Sequence, residues 1–297
     1  MCYNIYGQGA RRTVTRELVK DEKRSAVTLK NFSKTFEKPL DKSQKVCYNR
    51  YTEMREMSTH YGGKGEKGMR KKDLYIVGDI ETANFAEDAL AYDVGLAIID
   101  RKGNVYDRKS FIVSEIFVNE PDLMKSAYYA HKIPEYLAEI ERGGREVATF
   151  YKVVALLKEW NTKYKPKAFL AYNAFFDMSG LNRTQRYITK SKYRYALPYG
   201  LQVQCIWHMA CQTICSQKKY YDFCIKNGFV SKAGNISTSA ETVYRFLTNN
   251  PIFQEEHKGL EDVEIEAKIF AECIKKHKKM NRKINRACWR LAQRKEG

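Results

Sequence analysis

Asp79 and Glu81 stand two residues apart at the end of an apolar run, Leu74-Tyr75-Ile76-Val77-Gly78-Asp79-Ile80. Residues two apart in a strand project on the same side, so this spacing sets two carboxylates next to each other. Like charges about 4 Å apart repel by roughly 4 kcal/mol at an effective dielectric of 20, a cost that a divalent cation between them removes. A solvated strand end would carry the same D-x-E pattern, so the pair gains weight only from later segments. Phe169-Leu170-Ala171-Tyr172-Asn173-Ala174-Phe175-Phe176-Asp177 delivers an Asn and an Asp from a buried strand into a helix. His257 precedes Asp262 by five residues. Five helical residues turn through about 500°, so these two cannot share a helix face. His257 therefore belongs to the loop containing Gly259, with Asp262 in the first helical turn behind it. Val263, Ala267, Phe270, Ala271 and Ile274 form the apolar stripe that fixes that helix against a core.

These residues need a scaffold, and the pattern supplies one. Strands are expected at Leu74–Ile80, Asp93–Ile99 and Val105–Val113, the last two joined by the turn Asp100-Arg101-Lys102-Gly103-Asn104 as an antiparallel hairpin. A helix is expected over Glu146–Tyr164, where Val147, Tyr151, Val154, Leu157 and Trp160 recur at helical intervals. A strand over Lys167–Tyr172, a helix from about Asp177, a strand near Gln202–Ile206 and a cysteine-containing helix follow. Helices at Ala240–Leu247 and from Asp262 close the domain. The tail from Lys275 to Arg294 is expected to continue helically, with Ile284, Ala287, Cys288 and Leu291 on one side. Antiparallel strands followed by βα units give the α/β class, a mixed sheet flanked by helices on both faces.

Asp79-Ile80-Glu81-Thr82, Asn173-Ala174-Phe175-Phe176-Asp177 and His257 with Asp262 resemble, in order and spacing, the motifs of the DEDDh family of 3′→5′ exonucleases. The resemblance spans roughly residues 73–277 and implies a ribonuclease-H-like fold. It points to the group of ribonuclease T and the proofreading epsilon subunit of DNA polymerase III, which includes stand-alone phage-encoded copies. Asn84 stands where that family usually has glycine, and Lys258-Gly259 replaces a small or polar residue followed by Ala. The resemblance implies that Asp79, Glu81, Asp177 and Asp262 hold two Mg²⁺ or Mn²⁺ ions, hard cations that prefer carboxylate oxygens. One ion would activate water and the other would stabilise the leaving 3′-oxygen, with His257 taking the water's proton. Thr82 and Phe85 match positions that contact the terminal nucleotide, by hydrogen bonding and by stacking, although Phe85 also suits a core. Asn173 and Phe176 are further substrate-binding candidates, or else a helix cap and a core residue. The function implied is hydrolysis at single-stranded 3′ ends, DNA first. Ribonuclease T-like trimming of RNA, and a catalytically vestigial nucleic-acid-binding or polymerase-accessory protein, are the alternatives. Replication or repair proteins are the partner class implied.

The charge distribution fits a polyanionic substrate. Of 297 residues, 53 are Lys or Arg and 35 Asp or Glu, a net of +18. Residues 1–72 carry 18 basic and 8 acidic residues, and residues 275–297 carry 10 and 1, so the body between them is near neutral. Two basic ends on a neutral body suit nucleic acid first and an anionic membrane surface a distant second, or else are solvated tails. The first 72 residues lack a sustained period, and Tyr61–Gly68 is glycine-rich. They are read as a poorly ordered basic extension and linker, followed by an exonuclease domain at 73–280 and a basic tail at 281–297. No apolar run reaches the roughly 18 residues of a membrane span, and no secretory signal is visible. Eight cysteines are too sparse for a disulfide scaffold, so reduced thiols and a cytoplasmic location are expected. Cys205, His208, Cys211 and Cys215 resemble a zinc set only by composition. On one helix they cannot converge, so they are read as buried thiols and a core or surface His.

Overall fold

The structure, a computed structural model, describes residues 72–84, 87–276 and 279–293. The aliphatic and aromatic run after Asp73 forms β1 (Leu74–Ala83), and β2 (Leu90–Asp100) is buried along its whole length. The Asp100 carboxylate accepts the N–H groups of Lys102 and Asn104 at 2.8 and 3.1 Å, which closes the turn into β3 (Val105–Val113). These three strands are antiparallel. Three short strands extend the sheet in parallel: β4 (Val147–Ala148) beside β3, β5 (Phe169–Ala171) beside β1, and β6 (Val203–Cys205) beside β5. The order is β4-β3-β2-β1-β5-β6. This is the mixed sheet, flanked by helices, of the ribonuclease-H-like expectation.

The helices among the described residues are α1 (Ser114–Phe117), α2 (Pro121–Met124), α3 (Ile133–Glu141), α4 (Phe150–Tyr164), α5 (Ala174–Thr189), α6 (Ile206–Ala210), α7 (Lys218–Asn227), α8 (Ala240–Thr248) and α9 (Gly259–Lys275). Alternation along β1 divides them between two layers. Tyr75 faces α9 and meets Phe270 edge-on at 5.0 Å. Ile80 faces the other way, against Gly180 of α5, where an added Cβ would lie 2.4 Å from its Cδ1. Asp79 and Glu81 share the parity of Tyr75 and so point to the α9 side. None of these helices is long and apolar enough to cross a membrane.

Several boundaries differ from the sequence reading. β1 runs on to Ala83 and β2 starts at Leu90, so the acidic pair lies inside the strand and not at its end. The helix expected from Glu146 begins at Phe150, because Val147 and Ala148 add to the sheet edge against Ile112 and Val113. The helix expected from Asp177 begins one turn earlier, at Ala174. The largest correction is the C-terminal tail. Helix α9 ends at Lys275, and a 3₁₀ turn at Cys288–Leu291 is the regular element described after it. Two asparagines compete there with helix: Asn281 Oδ1 accepts the Lys283 N–H and Asn285 Oδ1 accepts the Ala287 N–H, both at 3.0 Å. The tail is also tied to the body, since Cys205 N–H donates to Arg282 O at 2.8 Å and Cys288 is fully buried. The expected extension at 1–72 lies outside the described residues except for Lys72.

Candidate active site

The hydrogen-bond register of β1 against β2 slips between Glu81, opposite Asp93, and Thr82, opposite Ala91. Such an irregularity re-aims side chains at one end of a strand. Ligand atoms of Glu81, His257 and Asp262 come within 4.8 Å of one another, the one group of this kind found among the described residues. Asp79 and Asp177 border that group without joining it. Burial, then Glu266, Asp177, Asp262 and Glu81, hold the Asp79 carboxyl well above the usual carboxylate range. Burial, then Asp262 and Asp93, do the same to Glu81. Burial raises Asp177 to about 7, and burial with Glu261 raises Asp262 to about 7. The sequence-predicted acids thus form a set of mutually repelling carboxylates, with Asp177 and Asp262 buried and Asp79 and Glu81 half-buried.

A fifth acid was missed. Glu266 lies one turn after Asp262 and is 3% exposed. Its Oε1 accepts the Tyr172 N–H at 3.0 Å, and burial together with Asp177 pushes it well above its ordinary value. Its i,i+4 spacing from Asp262 inside an apolar stripe was the available signal. Glu266 Oε2 and Asp262 Oδ1 are buried with no hydrogen-bond donor. An acceptor left so costs about 1–3 kcal/mol.

His257 is held in an uncommon backbone conformation, with φ at 48°. A non-glycine residue stays in this left-handed region only where its surroundings impose it. Those surroundings are visible on both sides. The His257 ring stacks on Tyr129, with centroids 4.3 Å apart and planes 15° from parallel. The next residue, Lys258, is buried and donates to Glu135 at 2.5 Å and to Glu139 at 2.7 Å, both on α3. Gly259 N–H then donates to Asp93 Oδ2 at 3.1 Å. Gly95 and Gly259 meet backbone to backbone, and a Cβ built on Gly95 would lie 2.1 Å from the Gly259 carbonyl. Asp93 also accepts from Tyr136 Oη at 2.9 Å and from Arg145 at 3.2 Å. Arg145 continues to Glu139 at 2.6 Å and, through two bonds of 2.8 and 2.9 Å, to Glu261. The unusual Lys258-Gly259 pair is therefore an anchor for the His257 turn. Burial, and then Lys132, lower His257 below its ordinary 6.5, which leaves the imidazole neutral at pH 7.

The expected substrate contacts divide. Asn173 is exposed at the start of α5 and makes no side-chain cap, and Phe176 is half-buried, so neither fills the structural role weighed for it. Thr82 is half-buried, and Phe85 lies outside the described residues. Asn84 has φ at 63°, which explains its place where glycine is usual, since asparagine tolerates that conformation. Ser126 fixes it, accepting the Asn84 N–H at 3.0 Å and donating to Oδ1 at 2.9 Å. Cys205, Cys211 and Cys215 are buried free thiols, and His208 Nδ1 lies 2.8 Å from Lys283 O.

No protein-family model matches the chain, and no sequence match to a curated protein is found. Among solved structures it is similar to E. coli exonuclease I in complex with a 5cy-dT13 oligonucleotide, at 12% identity and a TM-score of 0.42, over 67% of this chain and 40% of that one. A product-bound structure of exonuclease I gives 13% identity and a TM-score of 0.40, over 69% and 43%. The chain thus spans about 40% of the length of these proteins. Likeness at this level carries no functional argument, and the reading of function rests on the site's own residues.

Proposed function

We propose that this chain is a divalent-metal-dependent 3′→5′ exonuclease of the DEDDh type that hydrolyses single-stranded ends, with DNA as the preferred substrate. One observation carries the reading: Glu81, His257 and Asp262 converge within 4.8 Å, bordered by the half-buried Asp79 and the buried Asp177. The donor set fits hard cations, because two buried acceptor oxygens, Asp262 Oδ1 and Glu266 Oε2, have no donor. Asp79, Glu81, Asp177 and Asp262 would hold the metal. Two Mg²⁺ or Mn²⁺ ions bound there would supply charge to activate water and stabilise the leaving 3′-oxygen.

The chain's own residues do the rest. His257, neutral at pH 7, accepts the attacking water's proton. Tyr129 and the Lys258 anchor hold its ring and backbone, limiting the reorganisation needed at each turnover. Thr82, Asn173 and Phe176 remain accessible to a terminal nucleotide, and replication or repair proteins are the proposed partner class.

A 3′-labelled single strand tests the reading. Mononucleotides should appear with Mg²⁺ or Mn²⁺ and cease in EDTA, and Asp79→Ala and Asp262→Ala should abolish release. Full activity in either variant would overturn the assignment. Matched RNA and DNA strands compared by kcat/KM would separate DNA hydrolysis from RNA trimming.

A further inference from the structure

A cavity of about 710 Å³ takes no part in the proposed chemistry. Its lining includes three aromatic residues from distant parts of the sequence: Trp207 after β6, Phe229 after α7, and Trp289 of the folded-back tail. All three are half-buried; Trp207 and Phe229 also pack against the core, so each offers the cavity part of its ring surface. The 235–242 segment supplies hydroxyls to the same wall, and Trp207 Nε1 donates to Thr238 at 2.9 Å.

Two contacts join this cavity to the catalytic loop and the carboxylates. Glu241, in the lining, accepts the Glu255 N–H at 3.0 Å, two residues before His257. Tyr172, whose N–H is held by Glu266, donates its hydroxyl to Thr238 O at 2.7 Å. Two arginines of the tail add positive charge. The Arg286 guanidinium sits 4.7 Å from the Phe175 ring, two residues before Asp177, and that of Arg290 sits 5.5 Å from Trp289. Both arginines are exposed.

We propose that this cavity is a subsite for an unpaired nucleobase of the substrate strand, upstream of the scissile end, with Arg286 and Arg290 contacting the phosphates between. The proposal rests on the nuclease reading for the strand's direction, and on the cavity's own chemistry for the ligand. Aromatic faces with nearby cations suit any base because every base has a π-face. A duplex keeps its bases stacked and cannot offer one.

The chain contains three tryptophans, and the third, Trp160, is 1% exposed in α4. Tryptophan emission therefore reports on the cavity. Full-length protein in EDTA is titrated with oligo(dT), oligo(U) and a blunt duplex, while cleavage is measured separately with Mn²⁺. Both single strands should quench emission and the duplex should not. Trp289→Ser should weaken single-strand binding about tenfold, and Trp289→Phe, which keeps a ring, should restore it. Far-ultraviolet circular dichroism guards against unfolding of the Ser variant, and Arg290→Ser provides a second variant that should flatten the salt dependence. Quenching without cleavage would keep the subsite and remove the nuclease reading. Cleavage with unchanged emission, or equal quenching by duplex, would overturn the subsite and leave the nuclease reading standing.

Discussion

Glu261 and Asp262 are neighbours in sequence and opposite in circumstance. Glu261 receives a two-pronged bond from Arg145 at 2.8 and 2.9 Å, whereas Asp262 keeps a buried oxygen with no donor. The contrast extends to the groups around them. On one side Asp93, Glu135, Glu139 and Glu261 are paired with Arg145 and Lys258, which draws Glu139 below its ordinary range and raises Lys258 to about 12, while burial still holds Asp93 above its ordinary value. On the other side Asp79, Glu81, Asp177, Asp262 and Glu266 face mainly one another, and all are pushed up. Identical side chains thus serve two ends. Paired acids fix the backbone of the His257 turn, and unpaired acids keep an attraction for cations that the protein has not itself satisfied.

Activity should separate the neighbours most sharply. Asp262→Asn should lower kcat by about 10³-fold, the scale of losing a charge-stabilising group at a reacting centre. Glu261→Gln should leave most of the activity, because Arg145 retains Asp93 and Glu139. Steady-state rates on one oligonucleotide decide this, and equal losses in the two variants would erase the contrast.

Stability should move in opposite directions. Arg145→Met strands buried Asp93 and should destabilise the fold by about 3–5 kcal/mol in urea unfolding. Asp177→Asn removes a charge that burial penalises, and should stabilise the metal-free protein by about 2–4 kcal/mol at pH 8. The direction follows from linkage. Asp177 has a folded pKa of about 7, above its ordinary 3.8, so its contribution is fully present below pH 4 and is lost as pH rises through 7. Glu139 runs the other way, since its pKa is lowered in the fold and its contribution fades only as pH falls through the acid range. The Mg²⁺-induced rise in Tm should therefore be small near pH 5, where protons compete for the carboxylates, and larger at pH 8. A pH-independent increment would argue against metal at these acids.

A smaller effect concerns His257. After burial, Lys132 is the charge that lowers it most, so Lys132→Gln should shift the acidic limb of the kcat profile to higher pH. An unmoved limb would show that His257 does not set it.

These groups were unequally legible in the sequence. Asp177 joined the site only through the resemblance carried by three ordered motifs. Strand parity placed Asp79 with Glu81, and the five-residue step placed His257 against Asp262, both local constraints. The Val105–Val113 strand was readable for the same reason, with its period of two following a turn. The paired side was not. Asp93 and Gly259 are 166 residues apart, and Lys258 and Glu135 are 123 apart, so no spacing announces their contact. Lys258 registered only as an oddity after the histidine. The tail misled in the opposite sense: its apolar residues recur at helical intervals, yet local asparagine bonds and the anchorage of Arg282 O to β6 override that period.

The weakest contrast lies between the near-neutral body and the basic residues 1–72, a difference visible only in charge. Arg286 and Arg290 stay in place when the chain is shortened to start at Met69, so any effect of the shortening belongs to the first 68 residues. Phosphate contacts remote from the reacting centre strengthen ground state and transition state alike, which appears in KM and leaves kcat unchanged. The shortened chain should therefore match the full chain in kcat and show a higher KM at moderate salt. Its plot of log K against log salt should be shallower by about 0.7 for each single-strand phosphate that the removed residues neutralise. Superimposable salt curves would mean that the N-terminal charges do not touch substrate. Residues 279–293 would then remain as the basic segment through which this protein attracts a strand.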